Sequence, residues 1–308
     1  MTDLQVRRVR FDFAGDDIPF SWHPTRPAFA AQCNLISFVA PGFEKFIVEA
    51  TRQAIPLIRD GEVAAEAEAY LRQEAQHSAA HAAHARALAR RWTGLRQTLT
   101  AVTASYDRLT ATKPLAWRLA YIAIIEATFT PYFTVFLENE DTLFAPGDER
   151  VASLFLWHFV EEIEHRSSAL KVYDAVHDSY PYRVKTIAGV VRHFDEILRI
   201  VVPGFRAAVP DADGGDLAAL LPEGLSWRAL RTAQRTARGL PAPQQPTYAG
   251  VPRRELLDMI VGLVRSQAPN HDPATERVPP FAGRWFERFD TEPRSAARWY
   301  TVGVEDRT

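Results

Sequence analysis

The chain has 308 residues, of which 47% are hydrophobic and 24% charged, and its formal net charge is −2. This composition is that of an ordinary globular protein with a sizeable core, and without a long basic block it favours neither a nucleic-acid partner nor an anionic membrane surface. The single cysteine, Cys33, excludes a fold held by disulfides and suits a reducing compartment. The N-terminus lacks an apolar signal core, and the longest apolar runs, such as Leu119–Ile125, are too short to span a bilayer. We therefore expect a soluble, cytoplasmic protein.

The first 34 residues are rich in proline and aromatic residues and are predicted to form an irregular lead-in. From residue 35 to about residue 209 apolar residues recur with helical spacing, which predicts one helical domain. Its helices are predicted at about Leu35–Ile58, Glu62–Trp92, Leu95–Thr110, Pro114–Phe144, from the break Pro146-Gly147-Asp148 to about Ser179, and from Pro181 to near Pro203-Gly204.

Beyond residue 209 the sequence changes character. Asp211–Asp216 and Gly239–Pro252 are rich in Gly and Pro, which predicts loops. A short amphipathic helix is predicted at Arg254–Ser266, and the aromatic tail that follows shows few helix signals. Residues 210–308 are thus predicted to be a loop-rich extension packed on the helical domain. No strand-like alternation persists, so the predicted fold class is all-α.

Four of the predicted helices carry acidic and imidazole residues in a repeated order. The order is Glu, Glu-x-x-His, Glu, Glu-x-x-His, and the residues are Glu44, Glu74 and His77, Glu126, and Glu162 and His165. Residues three apart on a helix share a face, so each Glu-x-x-His pair directs an oxygen and a nitrogen to one point. Two such helices and two further glutamates form the dimetal site of carboxylate-bridged four-helix bundles. We therefore predict two metal ions, iron or manganese, since sulfur ligands are absent.

Glu126 is the sharpest of these signals. It lies in LAYIAIIEATFTPYF, where a lone carboxylate among apolar residues is costly unless a cation compensates its charge. On the last of the four helices, His158 lies on the same stripe as Glu162 and His165 and is a candidate seventh ligand. Glu161 competes with Glu162, but Glu162 repeats the spacing of the first pair. We predict that Glu161 instead orients an imidazole.

These motifs carry a resemblance to a known family. Through PGFEKF, QEAQHSAAH, the Glu126 helix and WHFVEEIEHRSSALKVYD, the chain resembles the ferritin-like family of predicted metal-dependent hydrolases over about residues 35–180, and more weakly to about 205. The spacing His158-x-x-x-Glu162-x-x-His165 is similar to that of the di-iron para-aminobenzoate N-oxygenases. The resemblance implies a ferritin-like four-helix bundle with seven ligands: Glu44, Glu74, His77, Glu126, His158, Glu162 and His165.

Simpler interpretations remain for single residues. His81 and His84 fit the solvated face of an Ala-rich helix, although His81 lies one turn beyond His77. His158 fits a core histidine bonded to the backbone. Pro131 inside a helical run predicts a kink, which near a metal site would also make room for a substrate. Cys33 fits a small buried residue.

The leading functional hypothesis is a di-iron oxygenase or oxidase that acts on a small organic substrate with O2 and an external electron donor, N-oxygenation being one option that the resemblance implies. The alternative is a dinuclear metal-dependent hydrolase that uses a hydroxide bridging the metals. Iron handling or a metal-stabilised scaffold is a third, non-catalytic hypothesis. Bundles of this kind often dimerise, so a homodimer is also expected, whereas nucleic acid and membrane are not expected partners.

Overall fold

The computed structural model describes residues 4–15, 17–215, 221–225 and 247–301, and its regular structure in these ranges is entirely helical. The all-α prediction is confirmed. The α-helices are α1 (Pro27–Ala54), α2 (Gly61–Arg91), α3 (Leu95–Thr112), α4 (Leu115–Glu138), α5 (Glu140–Leu143), α6 (Glu149–Glu164), α7 (Ser168–Val176), α8 (Tyr180–Ala208), α9 (Asp211–Gly214), α10 (Arg253–Arg265) and α11 (Pro280–Thr291).

Helices α1, α2, α4 and α6 form a closed four-helix bundle. Helix α1 packs against α2 and α4, and α6 packs against the same two helices, so the four surround a common interior. Helix α3 lies against α1 and α8, α7 and α8 lie against α4, and α10 and α11 also pack on α4. One face of each of these four helices is therefore buried in the interior of the bundle, and polar side chains that point inward would meet there.

Two of these helices begin at aspartate caps. The Asp60 side chain accepts hydrogen bonds from the backbone N–H groups of Glu62 (2.8 Å) and Val63 (3.2 Å) at the start of α2. Asp148 caps α6 in the same way and also binds the guanidinium of Arg150. These bonds satisfy N–H groups that have no partner within the helix, and so they fix where α2 and α6 start.

Several helix boundaries differ from the sequence prediction. Helix α1 begins at Pro27, inside the predicted lead-in, because proline suits the first helical position. Helix α4 ends at Glu138 rather than Phe144, where the Asn139 side chain donates a hydrogen bond to the carbonyl of Val135 (2.9 Å). The single helix predicted through WHFVEEIEH is two helices in the structure, because α6 ends before His165. At the C-terminal turn of α6, the Arg166 side chain donates a hydrogen bond to the carbonyl of Ile163 (2.8 Å).

The C-terminal extension contains more helix than predicted. Pro280–Thr291 forms α11, whose Phe281 and Trp285 are buried one turn apart, and Trp285 stacks on Phe289. Asp211–Gly214 forms a one-turn helix in the first predicted loop. Asp216 and residues 239–246 of the two predicted loops lie outside the described residues. The division into lead-in, domain and extension stays a prediction.

Helix α4 is the one described helix that is long and apolar enough to span a membrane by length and composition. The prediction that no apolar run is long enough took account only of the uninterrupted stretch Leu119–Ile125. Within the structure 67% of the apolar window of α4 is buried by the other helices, as in the core helix of a soluble protein. A soluble protein agrees with this burial, while the cytoplasmic location stays a prediction.

Gly42 provides a test of how closely α1 approaches α3. A Cβ atom at this position would lie 2.8 Å from Cδ2 of Tyr106 and 3.3 Å from Cα of Thr103. We expect Gly42→Ala to lower the free energy of unfolding by about 1–2 kcal/mol, since overpacking outweighs the gain in helix propensity. Urea denaturation measures this change.

The matched control is Gly283→Ala, because a Cβ at Gly283 in α11 meets no atom within 4 Å. This variant should be neutral or more stable by up to about 1 kcal/mol. Equal effects of the two substitutions would contradict the close approach of α1 and α3.

Candidate metal centre

The seven predicted ligands meet inside the bundle. Helix α1 provides one of them, α2 two, α4 one and α6 two, and the seventh follows directly at the C-terminal cap of α6. None of these residues is more than 3% exposed. We call them the Glu/His cluster: Glu44, Glu74, His77, Glu126, His158, Glu162 and His165.

Glu162 lies at the centre of this cluster. Its Oε1 is 2.8 Å from Nε2 of His158 and 3.6 Å from Nδ1 of His77. Its Oε2 is 3.0 Å from Nε2 of His165 on the other side. The two oxygens of one carboxylate therefore face two different groups of imidazoles.

The cluster divides into two overlapping sets of ligand atoms. In the first set, atoms of Glu74, Glu126, Glu162 and His165 all lie within 4.8 Å of one another. On the other side the same limit holds within three triplets: His77–His158–Glu162, Glu44–Glu74–His77 and Glu44–His81–His158. Glu74 and Glu162 belong to both sides.

Several buried polar atoms of the cluster have no hydrogen-bond partner in the described part of the protein. They are Oε2 of Glu44, both carboxylate oxygens of Glu74, Nδ1 of His77 and Oε1 of Glu126. Leaving such atoms buried and unpaired costs several kcal/mol in all. A metal ion would bind them as ligands, so the residues present fit the predicted group.

The electrostatics of the cluster are those of crowded carboxylates. Burial, together with the neighbouring charge of Glu162, raises the pKa of Glu44, Glu74 and Glu126 well above its usual value. Burial opposes ionisation of Glu162 as well, but the charge of His165 and hydrogen bonds from His158 and His165 lower its pKa. Glu162 is thus stabilised as an anion by two imidazoles. The other three carboxylates share the same two imidazoles at longer distances: Nε2 of His165 lies 3.1 Å from Glu74 and 3.7 Å from Glu126, and Nε2 of His158 lies 3.5 Å from Glu44.

Each of the three histidines is oriented by a partner on its outer nitrogen. The pairs are His77 Nε2 with Glu161 Oε2 (2.9 Å), His158 Nδ1 with His81 Nε2 (2.7 Å) and His165 Nδ1 with Gln73 Oε1 (3.0 Å). The second ring nitrogen of each then faces the carboxylates. This arrangement is typical of metal-binding histidines, whose outer N–H is held by a neighbouring acceptor.

Glu161 lies where the predicted orienting role requires it. It contacts the outer side of His77, away from Glu74 and Glu162. Its own charge faces the guanidinium of Arg7, which is 3.3 Å away and also binds Glu164 at 2.7 and 2.9 Å. Burial raises the pKa of Glu161, and the charge of Arg7 opposes that rise.

The structure places His81 and His84 differently from the simpler sequence interpretation. Both are fully buried rather than solvated. Nδ1 of His81 and Nδ1 of His84 each lie 2.8 Å from the hydroxyl of Ser37, so a hydrogen-bonded chain extends from His158 through His81 and Ser37 to His84. Burial lowers the pKa of His84 to about 3, so it is neutral at physiological pH. The spacing of His77, His81 and His84 along one helical stripe was the available signal.

Arg7, Gln73 and Tyr70 are further residues of the site that the sequence did not reveal. Arg7 lies in the irregular lead-in, with no periodicity to relate it to α6. The Tyr70 ring lies 4.9 Å from the ring of His165, and burial raises the pKa of its hydroxyl, with the charge of Glu126 adding to the effect. Such contacts depend on how distant segments pack, which a local pattern does not contain.

Arg7→Ala tests whether the lead-in stabilises the buried charge of Glu161, which holds His77. The substitution leaves Glu161 buried without its cation, and we expect the free energy of unfolding to fall by about 3 kcal/mol. Arg8→Ala is the control, since the neighbouring Arg8 is exposed and should change stability by less than about 0.5 kcal/mol. Denaturant melts measure both variants, and similar values for the two would contradict the role of Arg7.

Comparison with known proteins agrees with the metal-centred geometry. Residues 5–234 match the family model described as "Predicted metal-dependent hydrolase". Neither the curated proteins nor the solved structures contain a match to this chain. The family description favours hydrolysis over oxygenation, and the ferritin-like relationship and the N-oxygenase similarity stay predictions. Because the match covers well over half of the chain, the protein belongs to the family of predicted metal-dependent hydrolases.

Proposed function

We propose that the Glu/His cluster holds two metal ions and that these ions make the protein a metal-dependent enzyme. The observation that carries the proposal is the set of buried ligand atoms without hydrogen-bond partners on either side of a shared carboxylate. One ion would be held by Glu74, Glu126, Glu162 and His165. The other would be held by Glu44, His77 and His158 together with the shared Glu74 and Glu162.

Charge and ligand type support two divalent ions of iron or manganese. Glu44, Glu74, Glu126 and Glu162 would contribute four negative charges when ionised, which two divalent cations balance. Oxygen and imidazole ligands without sulfur suit iron and manganese. Cys33 is buried in α1 outside the cluster, and burial raises the pKa of its thiol, so it provides no thiolate ligand.

The first candidate reaction is hydrolysis, because the family description supports it. When bound, two metal ions lower the pKa of a water between them and supply a hydroxide nucleophile. The protein's own contribution is to fix the ligands, through Glu161, His81 and Gln73 on the outer nitrogens of the histidines. A buried site also excludes bulk water, which strengthens every electrostatic interaction within it.

Oxidation with O2 is the second candidate, because aromatic side chains lie against the histidines of the cluster. The ring of Trp157 lies 4.9 Å from that of His77, and the ring of Phe133 lies 6.2 Å from that of His158. When bound, two ferrous ions would supply electrons to O2, and an external donor would restore them. The aromatic side chains would keep water away and shape an apolar space for a small organic substrate.

Counting metals tests the shared basis of both reactions. We expect the purified protein to bind two ions per chain, and Glu126→Ala to weaken at least one of them by tenfold or more, since a direct ligand is lost. Elemental analysis and competition with a chelator measure this. Glu68→Ala is the matched control, because Glu68 lies on α2 with its side chain 46% exposed and only a surface pair with Arg72. If Glu126→Ala bound both ions as tightly as the wild type, the proposed ligand set would be wrong.

A comparison of metal forms separates the reactions. A hydrolase should cleave ester, amide or phosphoester substrates in its manganese or zinc form without O2 or reductant. An oxidase or oxygenase should instead consume O2 when the anaerobic ferrous form is mixed with it, with a transient visible absorption. Oxygen uptake without any hydrolysis would contradict the first candidate and favour the second. Growth of an iron mineral would contradict both and indicate iron handling.

A further inference from the structure

Three buried imidazoles and one hydroxyl form a hydrogen-bonded chain that begins at the cluster and passes through residues of α6, α2 and α1. Nε2 of His158 lies 2.8 Å from Oε1 of Glu162, and its Nδ1 lies 2.7 Å from Nε2 of His81. Nδ1 of His81 and Nδ1 of His84 each lie 2.8 Å from Oγ of Ser37. The first two contacts belong to the metal centre, whereas Ser37 and His84 form no hydrogen bond with a predicted ligand in the described part of the chain.

The outer groups of this chain are dry and neutral. Ser37, His81 and His84 are each 0% exposed. Burial lowers the pKa of His81 well below its usual value and that of His84 to about 3. A neutral imidazole has one N–H and one bare nitrogen, so a ring that donates through one nitrogen accepts through the other. The position of one proton along the chain therefore decides the position of the next.

Ser37 transmits this direction between the two histidines of α2. Its hydroxyl has one proton and lies between two ring nitrogens. Within the described residues it forms no hydrogen bond with a carbonyl of α1, so its proton has only the two imidazoles as acceptors. Because a hydroxyl can accept and donate at once, a bond accepted from His81 leaves its proton for His84.

A metal ion on Nε2 of His158 would set one direction for the whole chain. The ion takes the lone pair of Nε2, so the ring proton lies on Nδ1 and is donated to Nε2 of His81. His81 then donates through Nδ1 to Ser37, whose hydroxyl donates to Nδ1 of His84. The ring proton of His84 must then lie on Nε2, an atom without a hydrogen-bond partner among the described residues.

Without an ion the opposite direction fits the same distances. Nε2 of His158 then carries the proton and donates to Glu162. With one proton on each ring, every further bond of the chain reverses, and Nε2 of His84 becomes the bare nitrogen. The proton count is the same in both directions, namely one for each ring and one for the hydroxyl. Metal binding thus releases a proton from Nε2 of His158, each proton between the groups crosses its own hydrogen bond, and Nε2 of His84 takes one up.

We propose that Ser37 is a positioning residue of the metal centre and that it couples an ion on His158 to the tautomer of His84. The Ser37 hydroxyl accepts from Nδ1 of His81 and so keeps Nε2 of that ring free to accept from His158. This bond in turn leaves Nε2 of His158 bare and directed at the ion. The proposal rests on the proposed metal centre, because the direction of the chain is set by the ion.

Nitrogen-15 NMR of the histidine-labelled protein tests the coupling, because protonated, bare and metal-bound ring nitrogens differ in chemical shift. The metal-free protein is compared with the zinc-loaded protein, and the signals of His84 are assigned by their loss in His84→Gln. We expect zinc to move the ring proton of His84 from Nδ1 to Nε2 in the wild type. In Ser37→Ala zinc should leave the His84 signals unchanged, and competition with a chelator should show at least threefold weaker zinc binding.

Ser105→Ala is the matched control, since the Ser105 hydroxyl is also buried and lies 3.0 Å from Nε2 of His193, between α3 and α8 and outside the cluster. It should lose a similar bond without changing the response of His84 or the affinity for zinc. The proposal is wrong if wild-type His84 has the same tautomer with and without zinc, a comparison that needs no Ser37 variant. It is also wrong if Ser37→Ala responds like the wild type, or if zinc binds Nε2 of His81 itself.

The count of bound zinc separates this proposal from the one on which it rests. A protein that binds no zinc would contradict the metal centre and the coupling together. A protein that binds zinc through His158 but shows no change at His84 would contradict the coupling alone and leave the metal centre in place.

Discussion

The architecture depends on one electrostatic constraint, namely that four carboxylates are buried together in the interior of the bundle. Glu44, Glu74, Glu126 and Glu162 are each at most 3% exposed, and burial raises the pKa of the first three. Carboxylates in such surroundings hold their protons or need a cation. Three imidazoles supply too few donors, since several oxygens remain without a hydrogen bond. The bundle is therefore organised around positive charge that its own side chains do not provide.

The residues around the cluster make this arrangement specific. Glu161, His81 and Gln73 each hold the outer nitrogen of one imidazole, and this fixes which nitrogen faces inward. The lead-in contributes as well, because Arg7 compensates the charge of Glu161 and its guanidinium lies over the ring of Phe286 in α11. Arg7 of the lead-in thus contacts both Glu161, which holds His77, and Phe286 of the extension. This contact couples the position of the extension to the bundle.

The sequence was most informative about the metal ligands where helical periodicity coincides with the cost of burying a charged side chain. The two Glu-x-x-His pairs and the isolated Glu126 could be related because each lies on a helix whose apolar face is evident. The same reasoning could not find Arg7 or Ser37, because Arg7 lies in an irregular segment far in sequence from Glu161, and Ser37 contacts His81 and His84 on another helix. The end of α6 at His165 was also not predicted. It depends on the Arg166 side chain, which donates hydrogen bonds to the carbonyl of Ile163 in α6 and to that of Pro273 in the extension.

The two reactions proposed for the cluster differ in what must reach it. Aromatic side chains border the cluster, since the ring of Trp157 lies 4.9 Å from that of His77 and the ring of Phe133 lies 6.2 Å from that of His158. Thr130, one turn beyond Glu126 on α4, lines a cavity between α4 and the C-terminal extension. Under the proposed function, hydrolysis requires that the scissile bond of the substrate lie at the cluster, whereas oxidation requires only a reactive atom there.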